Sequence, residues 1–206
     1  MDRNSIEALP VGRAFSQRAK ALAIIDAILC PEWEYRYYSF NSEWGSGQSM
    51  ASARDGQGAE YFALISDDVI GFKSYEPQSP AVPPPSAGWA AHTPANTGLG
   101  DFWGEPAFSM DHISWLATCD AGIWQLLAGE LRIPDLAKAL TRDADEHASW
   151  AATYYELTPS TEQVEAMRHL FDGEPLTGDV VAALNPSAGI VDLTDDITEI
   201  GWPTAV

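Results

Sequence analysis

Basic residues are scarce in this 206-residue chain: eleven Lys and Arg stand against thirty Asp and Glu, a formal net charge of −19 at pH 7. Binding a phosphate backbone takes clustered Lys and Arg, so nucleic acid is excluded as a partner. Long apolar runs are missing too. None reaches the roughly eighteen residues that a membrane span requires, and no membrane association is expected. The most apolar N-terminal stretch, residues 21–29, is interrupted by Asp26 and is followed by no small-residue cleavage site. It reads as a helix and not as a secretory signal. Cysteine is nearly absent. Cys30 and Cys119 lie far apart and in no CxxC pair, which excludes a disulfide framework but leaves one long-range bridge open. The expectation is a cytoplasmic chain with two buried thiols.

Catalytic signatures are missing as well. The chain has no GxSxG elbow, HExxH helix, EF-hand loop, P-loop or full GxGxxG. Gly45-Ser-Gly47 and Gly56-Gln-Gly58 sit between strand-like runs and predict hairpin turns. Cys119 has Asp120 beside it and His112 seven residues earlier, but it lies in an apolar run where a thiol is inert core. Asp143, Glu146 and His147 fall within about one helical turn, and the i, i+4 spacing of Asp143 and His147 can share a metal. His147 also falls on an apolar stripe with Leu140 and Tyr154, which marks it as a core histidine. His92 and His169 have no second ligand at a recognised spacing. No catalytic residue, metal site or cofactor is therefore expected.

What is present is a core and many rings. Apolar residues make up 46% of the chain, with eight Trp, seven Tyr and seven Phe, enough for a packed domain and unlike a disordered chain. The expected fold class is α+β, in a single compact domain spanning 1–206. Residues 1–75 predict a helix with Phe15, Ala19, Leu22, Ile25 and Leu29 on one face, stopped by Pro31, and then an antiparallel β-meander. Its strand-like runs are 33–40, 49–54, 60–66 and 69–75, separated by turn chemistry at 41–47, 55–58 and Asp67-Asp68.

Residues 76–106 hold seven of the fourteen prolines and predict a long Pro-rich loop over the domain, with a flexible tip. It carries Trp89, Phe102 and Trp103, which a plain linker would not need. The stretch 107–206 predicts a mainly helical half. Residues 113–127 leave helix and strand both open. Leu136, Leu140, His147, Ala151, Tyr154 and Leu157 trace one helix face from Pro134-Asp135. Ser160 with Gln163 forms a capping box for a helix closed by Asp172-Gly173. Thr177 caps a short helix ended by Asn185-Pro186, and Thr194 caps a last one stopping at Gly201.

Several segments taken together, Glu32 to Trp44 (EWEYRYYSFNSEW), Met50 to Gly58 (MASARDGQG), Glu105 to Met110 (EPAFSM), and the tail Pro175 to Pro186 with Ile197 to Pro203, resemble a family of uncharacterised bacterial proteins. They cover a little under a quarter of the chain and span most of its length. The resemblance implies one shared bacterial architecture and carries no known activity.

Charge is uneven. Residues 143–206 contain thirteen acids and one base, Arg168, which supplies −12 of the −19. A surface of this kind keeps proteins apart in solution, and it also steers a basic partner. With no catalytic motif, the expected function is protein binding. A concrete form is an immunity or antitoxin-like protein that neutralises a basic bacterial toxin. The expected contacts are Glu162, Glu165, Asp172, Asp192, Asp195, Asp196 and Glu199, with buried contacts from Trp33, Tyr35 and Tyr37 on an aromatic strand. The alternatives are an enzyme of unrecognised type, using carboxylates or the Asp143/Glu146/His147 cluster under the Pro-rich loop, and a structural subunit of a larger assembly.

Overall fold

Helix α1, Gly12–Leu29, buries Phe15, Ala19, Leu22 and Ile25 but also Ala21, Ala23, Ile24, Ala27 and Ile28, so most of its circumference faces protein. The computed structural model describes residues 4–80, 82 and 99–205. Pro31 follows the last helical bond, from Cys30 N–H to the Asp26 carbonyl. The chain then builds a six-stranded antiparallel sheet in sequence order: β1 Tyr38–Gly45, β2 Gln48–Arg54, β3 Glu60–Ser66, β4 Val69–Tyr75, β5 Trp115–Asp120 and β6 Ile123–Ala128. The fold is α+β.

Both faces of the central strands are covered, by different material. Alternate residues Ala51, Ala53, Tyr61, Ala63, Ile65, Ile70, Phe72, Ala117 and Cys119 join the core beneath α1. Four alanines there let the helix approach closely. The opposite alternates Met50, Leu64 and Leu116 pack with Leu99, Phe102, Phe108 and Ile113, so residues 99–113 form a cover over the second face. The cover has two short 3-10 turns, Asp101–Trp103 and Pro106–Phe108. Phe102 seats on Gly71, whose missing side chain leaves room for the ring. The expected loop lies over the sheet here, while its tip, with Trp89 and His92, lies outside the described residues.

Three expectations need correction, and one left open is decided. The aromatic run 33–40 is not one strand. Trp33–Tyr35 is a 3-10 turn, and β1 starts at Tyr38 and continues through residues expected to be a turn. Residues 113–127, where helix and strand were both open, are the β5–β6 hairpin. Its turn, Ala121-Gly122, takes positive φ at both positions. The helix expected from Pro134 is two pieces: a 3-10 segment, Leu136–Thr141, and α2, Ala144–Tyr154. Asp143 starts α2 with a capping box to Glu146, which is what breaks the run. Finally, Thr194 does not cap. It is the first residue of α5, Thr194–Ile200, and its hydroxyl donates back to the Val191 carbonyl.

The other helical signals hold. The Ser160/Gln163 capping box opens α3, Thr161–Phe171, and Thr177 caps α4, Gly178–Leu184. Gly201 ends α5 at φ 65°, a left-handed position that suits glycine. Cys30 and Cys119 are buried and free. No helix among the described residues is long and apolar enough to cross a membrane.

Candidate interaction surface

The turn after α1 carries the most exposed rings of the described chain. Trp33 is 57% exposed and Tyr35 63%, an orientation that costs apolar hydration and needs a structural reason. The reason is the set of bonds that holds the turn. Arg36 donates from Nε to the Cys30 carbonyl at 2.7 Å and from Nη2 to the Pro31 carbonyl at 3.1 Å. Its fork also closes on Asp196 of α5, at 2.5 and 3.2 Å. This bidentate pair is largely sheltered, and Arg36 thereby ties the turn to two carbonyls and to the C-terminal helix. On the far side, the Tyr154 hydroxyl donates to the Tyr35 carbonyl at 2.9 Å.

Beneath the turn lies Asp26, fully buried in α1. The N–H groups of Tyr37 and Tyr38 donate to its Oδ2 at 2.8 and 2.9 Å and set where β1 begins. The carboxyl interacts with the buried Tyr155 hydroxyl, although neither Oδ1 nor that hydroxyl makes a well-aligned hydrogen bond among the described residues. Burial raises the Asp26 carboxyl from 3.8 to about 7, against the lowering effect of the two amides, Tyr155 and Arg36.

Trp33, Tyr35 and Tyr154 line one groove of about 130 Å³ with Arg36, Ser39 and Arg54. The Arg54 guanidinium lies 5.1 Å from the Trp33 ring centre. A smaller hollow next to it is lined by Trp33, Arg36, Ser39, Asp196 and Glu199. A separate, mostly apolar cavity of about 200 Å³ sits near Trp115 and Pro134. Its two carboxylates are already taken up, Glu76 by Arg132, Ser79 and the Asp135 N–H, and Glu130 by Arg132.

The expected contact residues divide accordingly. Trp33 and Tyr35 are surface rings, and Asp196 and Glu199 come to the Trp33 hollow. Asp196, however, is bound to Arg36, so its charge is used within the fold. Tyr37 is half-buried, with Tyr154 at 4.5 Å and Trp150 at 5.1 Å between ring centres. Asp192 accepts from the Gly189 N–H. Asp195 is exposed in the first turn of α5. Glu162, Glu165 and Asp172 are exposed along α3 and at its end, and line neither hollow beside Trp33. Asp143 and Glu146 are joined in the capping box, while His147 is buried against Tyr38, Trp150 and Phe171. Burial, with Arg142 and Arg18 nearby, lowers the imidazole to about 3. Both of its nitrogens lack a partner among the described residues, so it is a core histidine that is not hydrogen-bonded.

Sequence reasoning missed Asp26, Arg36, Arg54 and Tyr154. Only Asp26 had a local signal, a charge inside an apolar helix. Comparison with family models, with curated proteins and with solved structures finds no match to this chain.

Proposed function

We propose that this chain is a cytoplasmic protein-binding module that captures a basic protein through the Trp33–Tyr35 turn and the neighbouring acids of α5. The observation that carries this reading is the clamped turn itself. Two large rings are held out in water by Arg36, Asp196 and Tyr154, instead of folding onto the core. Rigid exposed aromatics of this kind supply buried contact area at little entropic cost when a partner covers them. Asp195 and Glu199 stand nearby without a strong internal partner, and the wider acidic half adds long-range attraction for cations. In its concrete form the partner is a basic bacterial toxin, for instance a nuclease, which this protein neutralises in the manner of an immunity protein.

The test is affinity capture from the native lysate at low and moderate salt, with wild type and a Trp33→Ala/Tyr35→Ala variant side by side. A stoichiometric basic partner, weakened by salt and lost from the variant, supports the reading. No partner at either salt refutes it, and so does a partner held equally well by the variant.

A further inference from the structure

The buried acid beneath the turn has a geometry that its structural role does not exhaust. Among the described residues, five of the seven buried side-chain atoms that lack a well-formed hydrogen bond belong to Asp26, Tyr155, His147 and Arg142. These residues surround Tyr38 and Trp150, at the junction of α1, β1 and α2. Asp26 is the member that reaches the binding turn. One of its oxygens holds the two amides at which the turn enters β1, and the other faces the Tyr155 hydroxyl without a well-aligned bond.

We propose that Asp26 is a proton-operated latch on the Trp33–Tyr35 turn, closed when its carboxyl is neutral and released when it ionises. A neutral carboxyl keeps one oxygen for the Tyr37 and Tyr38 amides and carries no charge to be buried. A carboxylate leaves a full charge in a fully buried place, and little surrounds it that could compensate. From its own helix, Cys30 faces it. From the turn comes the cation Arg36, which is already shared with Asp196 and two carbonyls. From β1 come Tyr37 and Tyr38, from β3 Tyr61, and from α2 and its end Tyr154 and Tyr155. All of these hydroxyls and the thiol are pushed up by burial and stay neutral near pH 7, so they bring no positive charge. Opening the turn to water relieves the carboxylate, and the turn is where Trp33 and Tyr35 are displayed.

The consequence for the binding surface rests on the function proposed above, whereas the latch itself does not. The direction follows from linkage. The closed state binds its proton up to about pH 7, and an opened, hydrated Asp26 only up to about its ordinary 3.8. Between those values opening becomes about tenfold more favourable for each pH unit, then levels off above 7.

The experiment is amide hydrogen exchange of Tyr37 and Tyr38 in the isolated protein from pH 5.5 to 8, corrected for intrinsic rates. Wild type is expected to lose protection about tenfold per unit up to pH 7 and then to plateau. Asp26→Asn keeps an acceptor for the amides and a donor for Tyr155, and is expected to show flat protection. Tyr155→Phe removes the one hydroxyl facing Oδ1 and is expected to move the midpoint upward. Protection that does not change with pH in wild type overturns the latch, as does the same step persisting in Asp26→Asn or an unmoved midpoint in Tyr155→Phe. No partner is present in this measurement, so its failure is separate from a failed capture experiment.

Discussion

Replacing Gly71 with alanine tests whether residues 99–113 are a true second core layer. A Cβ built on Gly71 meets Phe102 Cδ1, Cγ and Cδ2 at 2.8, 2.9 and 3.1 Å, closer than carbon atoms pack. The ring has nowhere to go: it is fully buried, with Trp103 at 5.2 Å and Phe108 at 5.7 Å between centres. Two effects oppose each other. Losing a glycine from a strand interior gains about 0.5–1 kcal/mol from reduced unfolded-state entropy. Overpacking a filled core costs about 1–3 kcal/mol. Gly71 has no left-handed φ to protect, so the clash decides, and the expected net loss is about 1–2 kcal/mol. At roughly 2–4 °C per kcal/mol for a chain of this size, Tm falls by about 2–8 °C. Urea denaturation of Gly71→Ala, Phe102→Ala and the double variant checks the cause. Phe102→Ala alone costs about 3–5 kcal/mol. In the double variant the new methyl occupies space the ring has left, so the combined loss falls short of the sum by about 1–2 kcal/mol. A stabilised Gly71→Ala, or a strictly additive double variant, would show that Phe102 does not sit on β4.

The remaining predictions concern the turn and the core beneath it. Arg36→Ala leaves Asp196 and two carbonyls without their shared donor, and a loss of about 1–3 kcal/mol is expected by chemical denaturation. Trp33→Ala changes stability by less than about 0.5 kcal/mol because the ring is mainly in water, so any loss of partner capture reports binding alone. Asp195→Asn with Glu199→Gln slows association and flattens its salt dependence in stopped-flow mixing while dissociation changes little; an unchanged salt slope would remove α5 from the contact surface. His147 and Asp26 act on stability with opposite signs. His147, lowered to about 3 from 6.5, stays neutral in the fold, so its contribution is lost as pH falls below about 6.5. Asp26 is raised, so its contribution is lost as pH rises toward 7. Wild-type Tm is therefore expected to vary little between about pH 4 and 6.5, whereas His147→Phe exposes a fall with rising pH and Asp26→Asn a rise.

Local chemistry made much of the fold legible. Strands β2 to β4 are joined by short turns marked by local chemistry, and the Ser160/Gln163 box names its own helix. Where the reading failed, a correct local signal was assigned to the wrong purpose. Asp143 and Glu146 make the same reciprocal cap as Ser160 and Gln163, but the apolar stripe that runs on either side of it reads as one continuous helix. The Asp120-Ala-Gly122 turn inside 113–127 was a hairpin marker, masked by the apolar residues on either side. For residues 33–35 no local pattern was enough. Alternating aromatics look like a strand, and the bonds that make them a turn include one to Asp196, 160 positions away.

The binding surface was legible only as composition, because a side chain's type does not say whether its charge is already spent inside the fold. Asp195 and Asp196 are neighbours in sequence on one short helix. A helix turns each successive residue by about 100°, so the first points to water while the second meets Arg36. Tyr35 and Tyr37 divide in the same way, one held outward by the bond from Tyr154 and the other packed on that same ring. Tyr154 thus bears on both, as hydrogen-bond donor to the turn and as a wall of the core. Asp26 is different: a carboxylate among Ile24, Ile25, Ala27 and Ile28 opposes every requirement of an apolar helix face. Such a residue must either have its charge matched or be kept neutral, and the nearest cation is held by the turn that displays Trp33. The fold thus places its least comfortable group directly under its most exposed rings, and couples them through two backbone amides and one arginine.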